Sequence, residues 1–140
     1  MPVDVTTVDR QPRPLLPALG NGLRCRCPKC GEGKLFRSFL RVNDQCPVCG
    51  EELHHHKADD LPPYISIIIF GHILVGAMLH MEMTMTVPPY VYLFTLVPLS
   101  VILPLAMLPS IKGAVVGLQW ANFMHGFDPA FRDPAAPDAI

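Results

Sequence analysis

The charged and apolar positions divide the chain sharply. From Leu61 to Ile111 the sole Asp, Glu, Lys or Arg is Glu82, with Asp60 just before this stretch and Lys112 just after it. It contains two apolar runs, Tyr64 to Met81 and Tyr90 to Leu108. Each approaches the ~20 residues that a helix needs to cross ~30 Å of hydrocarbon. Two such runs in 140 residues leave too little other chain to bury them in a water-soluble core, so a transmembrane hairpin over 64–108 is expected. Nine of the 11 Lys and Arg residues precede Leu61, and only Lys112 and Arg132 follow the second run. Cations mark the cytoplasmic flank of a span. Both termini are therefore expected in the cytoplasm and the turn from Met83 to Pro89 on the outer face.

The polar residues inside the hairpin are few and specific. Plotted at 100° per residue, His72, Gly76, His80 and Met83 fall within an arc of about 80°, a face that should meet the second helix or a partner. At 1.5 Å per residue His72 lies ~15 Å beyond Pro62, close to the bilayer midplane. An imidazole there is costly without a partner, which makes His72 and Gly76 candidates for an intramembrane contact. Ser100 or Thr95 on the neighbouring helix would satisfy the ring equally well. Pro98 and Pro104 each remove a backbone hydrogen bond, so the second helix should be kinked or locally unwound. At the turn, His80, Met81, Met83 and Met85 offer soft ligands of the kind that suit Cu(I). Apolar methionines filling the interface are the plainer reading.

After Pro109 the pattern changes again. Val116, Trp120, Phe123 and Phe127 recur at helical spacing, with Gln119 at the edge of that face and His125 near its end, and Gln119, Trp120 and His125 are further candidates for contact with a partner. Residues 109–127 are expected as a short interfacial helix with its Trp at headgroup depth, or else as a helix packed on the N-terminal module.

That module is signalled by cysteine spacing. Cys27-Pro-Lys-Cys30-Gly is followed by Cys46-Pro-Val-Cys49-Gly, with fifteen residues between Cys30 and Cys46. Each pair predicts a tight knuckle, in which Pro28 or Pro47 presets the turn and Gly31 or Gly50 allows positive φ. Two knuckles at this separation supply four thiolates to one tetrahedral ion, the pattern of a structural zinc ribbon, with iron as the competing metal. Residues 34–42 carry β-branched and aromatic side chains suited to a short strand pair, so 23–53 is expected as a small β module. Cys25 is left over as a spare thiol. His54, His55 and His56 are consecutive and read as a solvated loop within a linker over 54–63. Asp59 and Asp60, ahead of Pro62 and Pro63, read as the acidic start of the first span, with contact to a partner as a secondary role.

Composition adds limits. Half the residues are apolar, 16% are charged and 16 are proline, as in membrane helices with irregular flanks. The net charge of -1 argues for no general affinity for nucleic acid. The basic residues Arg24, Arg26, Lys29, Lys34, Arg37 and Arg41 sit close to the first span, where anionic lipid headgroups are the natural counterpart. No cleavable signal peptide is visible, and the first span is expected to act as its own insertion signal. The five cysteines lie on the predicted cytoplasmic side, where ligation is favoured over disulfides. Residues 1–22, with Pro2, Pro12, Pro14 and Pro17, and residues 128–140 are expected as disordered tails. No nucleophile, base and oxyanion site come together in the pattern, so catalysis is not expected.

With these residues in view, the chain resembles the DUF983 family of small bacterial membrane proteins. The matching pieces are Cys27-Pro-Lys-Cys30-Gly-Glu-Gly-Lys-Leu-Phe36, the second knuckle, Asp59-Asp60-Leu-Pro-Pro-Tyr64, Gly71-His72, and Lys112-Gly-Ala through Gln119-Trp120 to Met124-His125-Gly126-Phe127. The resemblance covers about Leu23 to Phe127, and the Met-rich turn is not among its pieces. It implies a bacterial inner-membrane protein of unassigned biochemistry. Genes of this kind often stand beside those for haem-copper cytochrome oxidase and its assembly factors, which implies an accessory role for a respiratory complex. Self-association or a larger host complex is expected of so small a bundle. Membrane copper handling through the outer turn is the alternative function.

Overall fold

A computed structural model describes residues 12–56 and 60–128. Its elements are α1 (Leu15–Leu23), α2 (Leu61–Thr84) and α3 (Pro89–Ala121), followed by a short 3₁₀ turn, His125–Phe127. The cysteine-bearing segment lies between α1 and α2. There, three isolated antiparallel bridges, Arg26 with Lys34, Phe36 with Val42 and Gln45 with Glu52, stand in place of the expected strand pair. No continuous strand forms among the described residues. Gly31, Gly33 and Gly50 and the tight knuckles break each run of extended backbone before a ladder can extend.

α2 and α3 are long and apolar enough to cross a membrane, and their apolar surface faces outward. In α2 the buried positions are Pro62, Ser66 and Phe70, one stripe at i, i+4 and i+8. His72 is not on that stripe. α3 remains helical through Pro98, Pro104 and Pro109 over 33 residues, so of the expected kink or local unwinding the unwinding does not occur. At 1.5 Å per residue it spans about 50 Å, well beyond the ~30 Å of a bilayer core. The surplus is at its C-terminal end. There the exposed surface gives way to buried Ile111, Gly113, Val115, Val116, Gly117, Gln119, Trp120 and Ala121.

Two expectations are corrected here. The expected separate interfacial helix is instead the last turns of α3, and Val116 and Trp120 pack into the protein core rather than facing headgroups. What covers them is the cysteine module, as the alternative of packing on that module expects, together with α1, which occupies part of the stretch expected to be a disordered tail. Its prolines do not prevent a helix. Pro12 and Pro14 precede it and Pro17 falls in its first turn, where the missing N–H has no helical acceptor to lose. The remainder of that tail, residues 1–11, and residues 129–140 lie outside the described residues.

The α1–α3 crossing is made by small residues on both sides. A Cβ added at Gly22 would meet the Gly113 carbonyl, one at Gly113 would meet the Gly22 carbonyl, and one at Gly117 would meet the Ala18 carbonyl. Gly22 is thus level with Gly113 and Ala18 with Gly117, and the two helices run antiparallel with backbones in contact. Both helices end alike. Arg26 N–H reaches Asn21 O and Cys25 N–H reaches Gly22 O, both at 2.9 Å; at α3, Met124 N–H reaches Gln119 O at 2.9 Å and Phe123 N–H reaches Trp120 O at 3.3 Å. These are paired C-terminal capping bonds around a residue of positive φ, Cys25 at 58° and Phe123 at 53°. The spare thiol, Cys25, therefore occupies a helix-ending position.

A single core ties the cysteine segment to α1 and α3. Leu35 and Leu53 are fully buried, alongside Cys27, Cys46, Val42, Ala18, Val115, Val116 and Phe127.

Candidate metal centre

Both knuckles close in the same way. Gly31 N–H donates to Cys27 O at 2.9 Å and Gly50 N–H to Cys46 O at 3.0 Å, with the two glycines at φ 70° and 72°. Cys27 N–H donates to Gly33 O at 2.8 Å, and Cys46 N–H to Glu51 O at 2.9 Å, which returns each chain past its own knuckle. The two loops face each other. Cys27 Sγ lies 3.7 Å from Cys49 Sγ, and Cys30 Sγ lies 3.7 Å from Cys46 Sγ. All four sulfurs fall within 4.8 Å of one another.

Those separations have a chemical meaning. A tetrahedron of sulfurs around a metal at ~2.3 Å has an edge of about 3.8 Å, close to both cross-knuckle distances. The set could therefore hold one metal ion without rearranging the backbone. Gly33 has no room for a side chain, because a Cβ there would meet Cys46 Sγ. Its amide also points at Cys30 Sγ, 3.5 Å away. With the amide of Glu32 adding to that of Gly33, the Cys30 thiol is drawn down to about 6. Burial pushes the Cys27 and Cys49 thiols the other way, upward. A divalent cation reverses the second effect by stabilising all four thiolates together.

A polar cluster joins this centre to α3. Glu51, the residue after the second knuckle, accepts from Lys29 Nζ at 2.7 Å and from Trp120 Nε1 at 3.0 Å. The Arg13 guanidinium lies 3.8 Å from the same carboxylate, donates to Trp120 O at 2.8 Å, and stacks over the rings of Trp120 and Phe123 at 4.4 and 4.3 Å. Burial raises the Glu51 carboxyl, but hydrogen bonds from Lys29 and Trp120, with the two nearby cations, outweigh it and hold the group below the ordinary carboxylate range. Thus the first knuckle (Lys29), the second (Glu51), α3 (Trp120) and the segment ahead of α1 (Arg13) meet at one carboxylate. Neither Glu51 nor Arg13 stood out in the sequence. Their signal is no more than a charged residue beside a knuckle or in a proline-rich stretch.

The other candidates are scattered. Gln119 is buried and His125 is exposed. Asp59 lies outside the described residues. Asp60 occupies the N-cap position of α2 but makes no side-chain capping bond. The reason is local: a cap accepts from the N–H of the second or third helical residue, and here those are Pro62 and Pro63. His72 Nδ1 is 2.7 Å from Ile68 O, one turn back in its own helix, while Ser100 and Thr95 bond to Val97 O and Val91 O. No bond joins His72 to α3, and Gly76 has open space around it. His80, Met83 and Met85 are exposed, Met83 at 88%, with Met81 half-buried. Beyond the cysteines, Glu52, His54 and His55 bring donor atoms within 4.8 Å of one another, with His55 Nε2 at 2.9 Å from Glu52 Oε2.

The features on hand define a class: a two-helix apolar hairpin long enough for a membrane, joined through a shared core to a compact four-cysteine module. The family model for the protein of unknown function DUF983 matches residues 36–120, from just beyond the first knuckle to Trp120. The chain belongs to that family. No curated protein and no solved structure matches it.

Proposed function

We propose that the protein is a non-catalytic, integral membrane accessory or assembly factor for a respiratory complex, and that its four cysteines hold a structural zinc ion. In this reading α2 and α3 cross the bacterial inner membrane with both termini in the cytoplasm, and the module is a zinc-ribbon-like docking platform. The observation that carries it is the continuity of one core from the four-cysteine cluster into the last turns of α3. A contact made by the module would be transmitted to the helices as to one rigid body. Tetrathiolate coordination with no open position suits a structural ion rather than a catalytic one. Haem-copper cytochrome oxidase as the host rests on what the family resemblance implies. The outward-facing His72 and Gly76 support an intramembrane contact with such a host, because a lipid-facing imidazole is costly until another helix covers it.

The test is affinity purification from native membranes with metal analysis and identification of co-purifying subunits. Stoichiometric zinc and oxidase subunits or assembly factors are expected. In a deletion strain, an oxidase of normal abundance with normal haem and copper content would refute the assembly role.

A further inference from the structure

One loop of the module lies against α3 just past its apolar run. Lys112 is the first cation after the second span, and its ammonium donates to the Leu40 carbonyl at 2.9 Å. The loop Arg37-Ser-Phe-Leu-Arg41 is closed on itself by Arg37 N–H to Arg41 O at 2.7 Å and by the Phe36–Val42 bridge. It is therefore closed on itself and tied to α3 at Lys112. At its tip Phe39 is 57% exposed, although the adjoining Leu35 and Val42 are buried. Arg37 and Arg41 flank the ring, are exposed, and make no ion pair among the described residues. Between the loop and α3 lies an open cleft of about 530 Å³ whose lining includes Ser38, Arg41, His56 and Lys112, with Asp44 its one carboxylate.

We infer that this loop and cleft are a binding site for anionic phospholipid of the bilayer that α2 and α3 cross. Phe39 enters the boundary between headgroups and acyl chains, and Arg37, Arg41 and Lys112 take the phosphate oxygens. An aromatic ring flanked by cations is the side-chain set that interfacial segments use. Guanidinium forks pair with phosphate in a bidentate manner. Lys112, having given one N–H to Leu40, keeps two for a ligand. Free phosphate would satisfy the cations but leave Phe39 in water, so the lipid is the better match. The inference rests on the membrane-spanning reading given under the proposed function.

The test uses the full chain in phosphatidylcholine vesicles containing phosphatidylglycerol, with either lipid brominated near the top of its acyl chain. Phe39→Trp is compared with Leu16→Trp and with the wild-type emission of Trp120. Leu16 is 79% exposed, and because α1 runs antiparallel to α3 it lies at the end of α1 farther from the apolar run of α3. The tryptophan of Phe39→Trp should be blue-shifted and quenched, more strongly by brominated phosphatidylglycerol, and that of Leu16→Trp should not. A cation near the surface is worth about a fivefold preference for anionic lipid. Adding Arg37→Gln and Arg41→Gln should therefore bring the preference back toward unity, and inorganic phosphate should leave the quenching unchanged. In chain that has entered the vesicles, Phe39→Trp quenched no more than Leu16→Trp overturns the inference alone. Chain that stays in solution after detergent removal overturns the membrane reading with it.

Discussion

Replacing Gly113 with alanine separates the α1–α3 contact from every other feature of α3. In an isolated helix the change is favourable, by roughly 0.8–1 kcal/mol, because alanine restricts the unfolded backbone and exposes less of it. Here the new methyl would meet the Gly22 carbonyl and, at 3.3 Å, a methyl of Leu35. Backbone cannot rotate away as a flexible side chain can. α1 would have to retreat by on the order of 1 Å, and a gap of that size forfeits a quarter to a half of each dispersion contact across the crossing. Overpacking of this kind costs roughly 1–3 kcal/mol, enough to exceed the propensity gain. Gly76→Ala provides the control, since it lies in α2 with nothing within 4 Å of the added Cβ. Hydrogen exchange of the α1 amides in detergent, with thermal unfolding alongside, should show faster exchange over Leu15–Leu23 and a lower midpoint for Gly113→Ala. Gly76→Ala should leave both unchanged or slightly improved. Equal stabilisation by the two substitutions would refute the docking of α1 on α3.

Other predictions concern the centre and its supports. Cys30→Ser should abolish stoichiometric metal binding, whereas Cys25→Ser should retain it, as measured by metal analysis of the purified chain. Leu53→Ala empties a fully buried site shared by the module and the helices and should cost about 2–5 kcal/mol in denaturant unfolding. Glu51 is held below its ordinary value in the folded chain, so its ion pairs and hydrogen bonds contribute fully above the unfolded carboxylate range, near pH 4.3. That contribution is lost as pH falls through the lower folded value. Glu51→Gln should thus narrow the stability difference between neutral and acid pH, and an unchanged acid limb would count against the cluster with Lys29, Trp120 and Arg13. Asp60→Ala should change stability by less than about 0.5 kcal/mol, since no capping bond is lost.

The parts legible in the sequence were those with a strong local rule. Two runs free of charge announce α2 and α3, and the paired Cys-Pro-x-Cys-Gly knuckles announce the four sulfurs and the positive φ at Gly31 and Gly50. What stayed hidden depends on partners distant in the chain. α1 was obscured by three nearby prolines, yet Ala18-Leu-Gly-Asn-Gly22 and Gly113-Ala-Val-Val-Gly117 both carry small residues four apart, the pattern of close helix crossing. Once the cysteine module and α1 cover Val116 and Trp120, the end of α3 has no reason to lie in the interface. The Glu51 cluster could not be anticipated, because its members are drawn from four separate segments. Asp60 stands at the start of α2 as expected, but two prolines remove the N–H groups that its side chain would cap.

The most direct measurement on the centre is X-ray absorption at the metal edge of the full chain purified in detergent. One zinc per chain with four sulfur neighbours at ~2.3 Å is the expected result. Nitrogen or oxygen neighbours, fewer than four sulfurs, or a chain whose hairpin and module fold unchanged with no metal at all would contradict it.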